Sequence, residues 1–276
     1  MAQITAADVQ KLRKITGAGM MDCKNALQEA EGNFDTAVEI IRKKGQAIAN
    51  KRSDRDAGEG VVLAKSNGNG KAGAMIVLNC ETDFVAKNES FIALASKILD
   101  VALEKQPANL DELKKLTLEG RKINDIVTEQ IGIIGEKLDL SYFDKVVAEK
   151  VVAYIHPGNK LATLVGLNKA DVDIQVGKDV AMQVAAMNPV SVSQETVPQN
   201  VIEKELEIGK EMARNEGKPE AMLDKIAQGR LQKFFKESTL LEQAFIKDNK
   251  KSISQYLKEI KPDLTVTEFK RFTLND

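Results

Sequence analysis

Along the first 45 residues, apolar positions recur at helical intervals between short polar breaks, which predicts three short helices. "TAADVQKLRKI" brings Val9, Leu12 and Ile15 to one side and opens with Thr5 and Asp8 at capping-box-like spacing. "TGAGMM" breaks that helix. "DCKNALQEA" runs to the "EGN" stop, and "DTAVEIIRKK" turns Val38 and Ile41 inward and ends at Gly45. Three such helices close only a small core, so the unit is expected to lean on something else.

The pattern then turns polar in "GQAIANKRSDRDAGEG", where six basic residues from Arg42 to Arg55 face one acid, Asp54. A solvated helix end and linker is the plain reading, and a phosphate-backbone contact is the alternative. Beyond it, "VVLAKSNGNGKAGAMIVLN" (61–79) and "VVAYIHPGNKLATLVGLN" (151–168) share a layout: paired valines, a Gly-Asn turn, an apolar strand and a closing Leu-Asn. Helical periodicity follows each, at 90–103 and 179–187. The reading is a duplicated unit, each copy a β-hairpin packed on helices. "GNGK" at 68–71 is a hairpin turn between two strands rather than a phosphate loop.

Between the copies, "RKINDIVTEQIGIIGEKL" reads as a helix and "LSYFDKVVAEKVVAYI" as one long strand. From 201 to 236, Ile202, Leu206 and Met212, then Leu223, Ile226 and Phe234, line helical sides on either hand of an "NEGK" reversal, with Pro219 in a first turn. That is an antiparallel helical hairpin with charged outer sides. "SISQYLKEI" is helical, and "LTVTEFKRFTL" is a final strand expected to pair in the second subdomain, making it discontinuous. The fold class is α+β. The expected partition is 1–45 for the three helices, 46–58 for a linker and 59–138 for the first core subdomain. Residues 139–190 and 237–276 make the second, and 191–236 the inserted hairpin.

Composition narrows function mainly by exclusion. Apolar residues make up 43% and charged residues 29% of 276, the values of a globular protein. Forty basic residues against forty-one acidic leave a net charge of −1, so no global field attracts a polyanion, and no direct nucleic-acid partner is expected. No apolar run reaches membrane-spanning length, and "MAQITAADVQKLRK" lacks a secretory layout, so a cytoplasmic protein with no membrane partner is expected. Cys23 and Cys80 are read as reduced thiols, with an intermolecular disulfide as the lesser option. His156 is the only histidine, and no metal, cofactor or catalytic set is expected.

"NCETDFVAKN" (79–88) ends the apolar run "AGAMIVL" with an acid and a large ring, Asp83 and Phe84. On the residues alone, "DFVA" begins a buried helix with Phe84 in the core, or it places that ring outside for a partner. Met20 and Met21 pose the same choice: one in the small core and one exposed is the reading from pattern alone.

"LRKITGAGMMDCKNAL" and "NCETDFVAKN" closely resemble the signature segments of the bacterial elongation factor Ts family, the guanine-nucleotide exchange factors of elongation factor Tu. The resemblance extends through "VVAYIHPG" and "IEKELEI…NEGKPEAMLDKIAQGRLQKF" to "FKRF", in order along essentially the whole chain. It implies an N-terminal ubiquitin-associated-like three-helix domain, two core subdomains with antiparallel sheets, and the inserted hairpin. It also implies an exchange factor without bond chemistry, which binds elongation factor Tu with GDP and disturbs the Mg²⁺ and phosphate contacts until GDP leaves. Thr82, Asp83, Phe84 and Val85 match the family's intruding loop, with Phe84 as the wedge.

The resemblance places Arg13, Met20 and Met21 at or beside the partner interface. His156 would lie in a second contact region, where a plain surface turn is its alternative. Asp83 would either reorient a partner side chain near the Mg²⁺ or hold the loop as a turn acid. The helical hairpin can mediate self-association in the family, which leaves a homodimer open. Longer members continue into a C-terminal module, whereas this sequence ends at "FKRFTLND". Two rivals remain: a ribosome-surface or ubiquitin-like binding module using the N-terminal helices, and an enzyme centred on Cys80 or His156.

Overall fold

A computed structural model describes residues 4–275. Helix α1 (Ala6–Thr16) opens on a complete capping box between Thr5 and Asp8 and closes at Gly17, whose φ of 73° lets the chain turn left-handed. Helices α2 (Met20–Glu29) and α3 (Phe34–Lys51) follow, the latter capped by Asn33. Val9, Leu12, Cys23, Leu27, Ala37 and Ile41 meet in a small buried core. Ile15 departs from its expected inward position and is 57% exposed, because Thr16 takes the inward place one step further round the helix. The third helix also does not stop at Gly45. It continues for six residues, since a helical glycine here is held by packing rather than used as a cap.

That packing is against α7 (Ile123–Ile134), which is reached through β1 (Glu59–Ser66), β2 (Ala72–Cys80), α4 (Asp83–Ala86), α5 (Glu89–Lys105), α6 (Leu110–Lys115), β3 (Thr117–Leu118) and β4 (Arg121–Lys122). A Cβ placed on Gly132 would lie 2.5 Å from the Gly45 Cα, so only hydrogen fits at the crossing of α3 and α7. This is the support that the small helical core was expected to need.

The stretch expected as one long strand is broken at 148–149 into β5 (Asp139–Val147) and β6 (Lys150–Ile155). The two pieces belong to different sheets: one has the order β1-β2-β5, the other β10-β7-β6, with β7 (Leu161–Leu167) and β10 (Val266–Thr273). In each sheet the second hairpin strand is central. All nine residues of β2 are buried, which is why its sequence is apolar without alternation. The two hairpins also turn alike. Asn67 N–H donates to Ala72 O and Gly70 N–H to Asn67 O, while His156 N–H donates to Leu161 O and Asn159 N–H to His156 O, the same spacings in both. The final strand pairs antiparallel with β7, Phe269 opposite Val165.

After β7 come α8 (Ile174–Met187), α9 (Gln199–Asn215), α10 (Glu220–Ser238), the short strands β8 (Ala244–Phe245) and β9 (Asp248–Ser252), and α11 (Ile253–Ile260). Helices α9 and α10 form the antiparallel pair. Gly209, Ala213, Leu223, Ala227, Leu231 and Phe235 are buried in this pair, with Ile202, Leu206 and Phe234 packed half-buried beside them as expected, whereas Met212 is 46% exposed. Small residues let the backbones close up: a Cβ on Gly209 would meet the Ala227 Cβ at 3.2 Å. The chain divides into two compact units, one running to Leu63 with Ile76–Asp144 and the end from Leu274, the other Ala64–Met75 with Lys145–Thr273. Its class is α+β, and no helix among the described residues is long and apolar enough to cross a membrane.

Candidate partner-binding site

Strand β2 delivers the chain to Cys80, and Thr82 then caps the single turn of α4 through its side-chain oxygen, which accepts from Val85 N–H. Successive helical residues are about 100° apart, so residues 84 and 86 point to opposite sides. Ala86 is buried. Phe84 is 82% exposed, the most exposed large apolar side chain among the described residues. Thus the "DFVA" turn does begin a helix, but with its small residue inward and its ring in solvent. Asp83 forms an i,i+4 ion pair with Lys87 at 2.6 Å, and that carboxylate raises the Lys87 pKa. Val85 is half-buried.

The loop beneath the ring is laced by two carboxylates. Glu136, just past α7, accepts from Glu81 N–H at 3.2 Å, Thr82 N–H at 3.0 Å and the Thr82 hydroxyl at 2.7 Å. In return Glu81 accepts from Lys137 N–H at 2.6 Å, from Arg52 at 2.7 Å and from Arg55 at 3.0 Å. Burial pushes the Glu81 pKa up, but the Lys137 amide and the two guanidiniums outweigh it and hold the carboxyl at about 2. The Lys137 ammonium closes the lattice by donating to the carbonyls of Ser53 and Arg55 at 2.8 Å each. So part of the basic run read as a linker is spent here: Arg52 and Arg55 are loop anchors.

At the α1–α2 junction Arg13 is exposed, and both methionines face solvent, Met20 at 46% and Met21 at 65%; the reading with one of them in the core does not hold. Ala18 and Cys23 fill that core place instead. Together with Ile15 they leave three apolar side chains exposed at one junction. In the other unit, His156 sits at the β6–β7 turn, its Nδ1 3.0 Å from the Tyr154 hydroxyl, beside a cavity of about 350 Å³ lined by Tyr154, Leu161, Met182 and Ile246. Cys80 is buried and its thiol donates to Thr82 O at 3.1 Å; burial above all, then the Glu136 charge, pushes its pKa up to about 12, the opposite of an activated thiol. Cys23 is likewise free and buried. A separate cleft of about 580 Å³ beside α3 is lined by Arg42, Lys43, Arg121 and Lys122 among others, with no cysteine or histidine.

The family model described as Elongation factor TS matches residues 81–276. An elongation factor Ts of Porphyromonas gingivalis is 54% identical over 273 residues, 99% of this chain and 98% of its own length. One from Christiangramia forsetii is 53% identical over 99% of this chain and all of its own, and one from Chloroherpeton thalassium 43% over 97% and 95%.

The chain belongs to the elongation factor Ts family. It is a translation elongation factor acting in nucleotide exchange on elongation factor Tu. Sequence reasoning missed what holds the loop at 82–85. Glu136 and Glu81 lie 55 positions apart, and nothing in periodicity or motif joins them; the only trace was the excess of basic residues ahead of β1, two of which need an acid.

Proposed function

We propose that Phe84 is the wedge of the exchange reaction, inserted between helices of the nucleotide domain of elongation factor Tu with GDP bound. Thr82 and Val85 shape the turn, and Asp83 either reaches a partner side chain near the Mg²⁺ or stays with Lys87 as a turn acid. Arg13, Met20 and Met21 add a contact on the three-helix, ubiquitin-associated-like part, and His156 adds one on the second unit. The chain then works in the cytoplasm, with residues 59–138 as the first core subdomain, 139–190 and 237–276 as the second, and 191–236 as the inserted hairpin.

The observation that carries this is the 82% exposure of Phe84 on a turn whose opposite side is anchored. Burying such a ring in a partner is worth about 1.5–3 kcal/mol over leaving it in water. If about 2–3 kcal/mol of that is realised only when the nucleotide site is open, nucleotide binding loosens by about 30- to 150-fold. The coupling is reciprocal, so GTP rebinding expels the factor by the same ratio and the protein turns over without bond chemistry.

Release of labelled GDP from elongation factor Tu, followed with a small fraction of an equivalent of this protein, tests the proposal. Many GDP molecules released per factor are expected. Release that stops at one equivalent would mean sequestration instead.

A further inference from the structure

We infer that Glu136 is a positioning residue for exchange, which holds the 81–85 loop so that Phe84 is already posed for insertion before the partner arrives. The inference rests on Phe84 acting as the wedge. A helix of one turn has no stability of its own, because nucleation costs more than its few hydrogen bonds return. Nor does the ring hold the turn, since it is 82% exposed and packs on little of its own chain. The pose of Phe84 must be fixed from the inner side of the loop.

Three donors there converge on one carboxylate: the amides of Glu81 and Thr82 and the Thr82 hydroxyl, all to Glu136. Hydrogen bonds to an ionised acceptor are the stronger kind. The lattice is reciprocal, because the amide of Lys137, next to Glu136, donates back to Glu81. It also reaches the N-terminal helices, since Arg52, directly after α3, donates to the same Glu81. One acid after α7 thus sets the loop, and one arginine after α3 ties the loop to the helix that carries the small N-terminal core.

A posed wedge loses less conformational freedom on insertion, so the advantage falls on the step that opens the partner and leaves first contact alone. Replacing Glu136 by Gln preserves shape and removes the charge. For Glu136→Gln, kcat for GDP release at saturating GDP-bound partner is expected to drop about tenfold, with KM for that partner within about twofold. Hydrogen exchange at the Glu81 and Thr82 amides should quicken by a similar factor. In a Phe84→Ala background the same substitution should have no further effect, as expected when two residues act through one step.

An unchanged kcat for Glu136→Gln beside an impaired Phe84→Ala overturns the positioning role and spares the wedge. A raised KM with unchanged kcat also overturns it, since Glu136 would then only support binding. Normal exchange by Phe84→Ala defeats the wedge itself and the inference with it. Should Glu136→Gln fail to fold, Glu136→Asp decides, because it keeps the charge but draws it back from the three donors: a lowered kcat is expected, and a wild-type kcat contradicts the inference.

Discussion

Gly132 of α7 faces Gly45 of α3 so closely that a methyl group on Gly132 would stand 2.5 Å from the Gly45 Cα. The clash is with backbone, which has no rotamer to yield. Gly132→Ala is therefore expected to push the helices apart and cost about 1–3 kcal/mol. A lowered urea midpoint with an unchanged slope is the predicted result. A wild-type midpoint would show that the crossing is looser than described.

Met20 and Met21, like Ile15, stand exposed and contribute nothing to the core of the three helices. Converting both methionines to Ser should leave thermal stability within about 0.5 kcal/mol of wild type. Association with GDP-bound elongation factor Tu should weaken about tenfold, read by titration calorimetry. Unaltered affinity would remove the α1–α2 junction from the interface.

Cys23 and Cys80 are both buried, and the Cys80 thiol is raised to about 12. At pH 8 the folded protein is expected to resist iodoacetamide and keep full exchange activity. Both thiols should react once urea unfolds it. Rapid alkylation of the folded chain with loss of activity would revive a thiol-centred function.

Glu81 is held at about 2 against an ordinary value of 4.5. A carboxyl whose folded pKa is depressed contributes stability above its unfolded value, and loses that contribution as pH falls towards the folded one. The window is therefore pH 4.5 down to about 2. Glu81→Gln should be less stable than wild type at pH 7, and the difference should shrink as the pH falls through that window. A constant difference across it would place the effect elsewhere than in ionisation.

Much of the fold was legible because its signals are local. Helix α1 was announced by Thr5 and Asp8, the hairpins by their Gly-Asn turns, and the exclusively apolar β2 by its lack of alternation. The failures share a cause. Ile15 obeyed the period yet faces solvent because Thr16 takes the inward place, and Gly45 looked like a helix end because its packing against Gly132 lies 87 positions away. The break at 148–149 separates two runs that both read as strand, and pairing with different sheets distinguishes them. At the site, the exposed ring could be anticipated through family resemblance, whereas its anchors are long-range pairings between ordinary acids and bases.

The wedge role requires that Phe84 favour the emptied partner over the occupied one. The rate of GDP release from elongation factor Tu, measured at saturating wild-type protein and at saturating Phe84→Ala, tests it directly. The variant should fold normally, still bind, and release GDP about 30- to 150-fold more slowly. Equal rates from the two proteins would contradict the account.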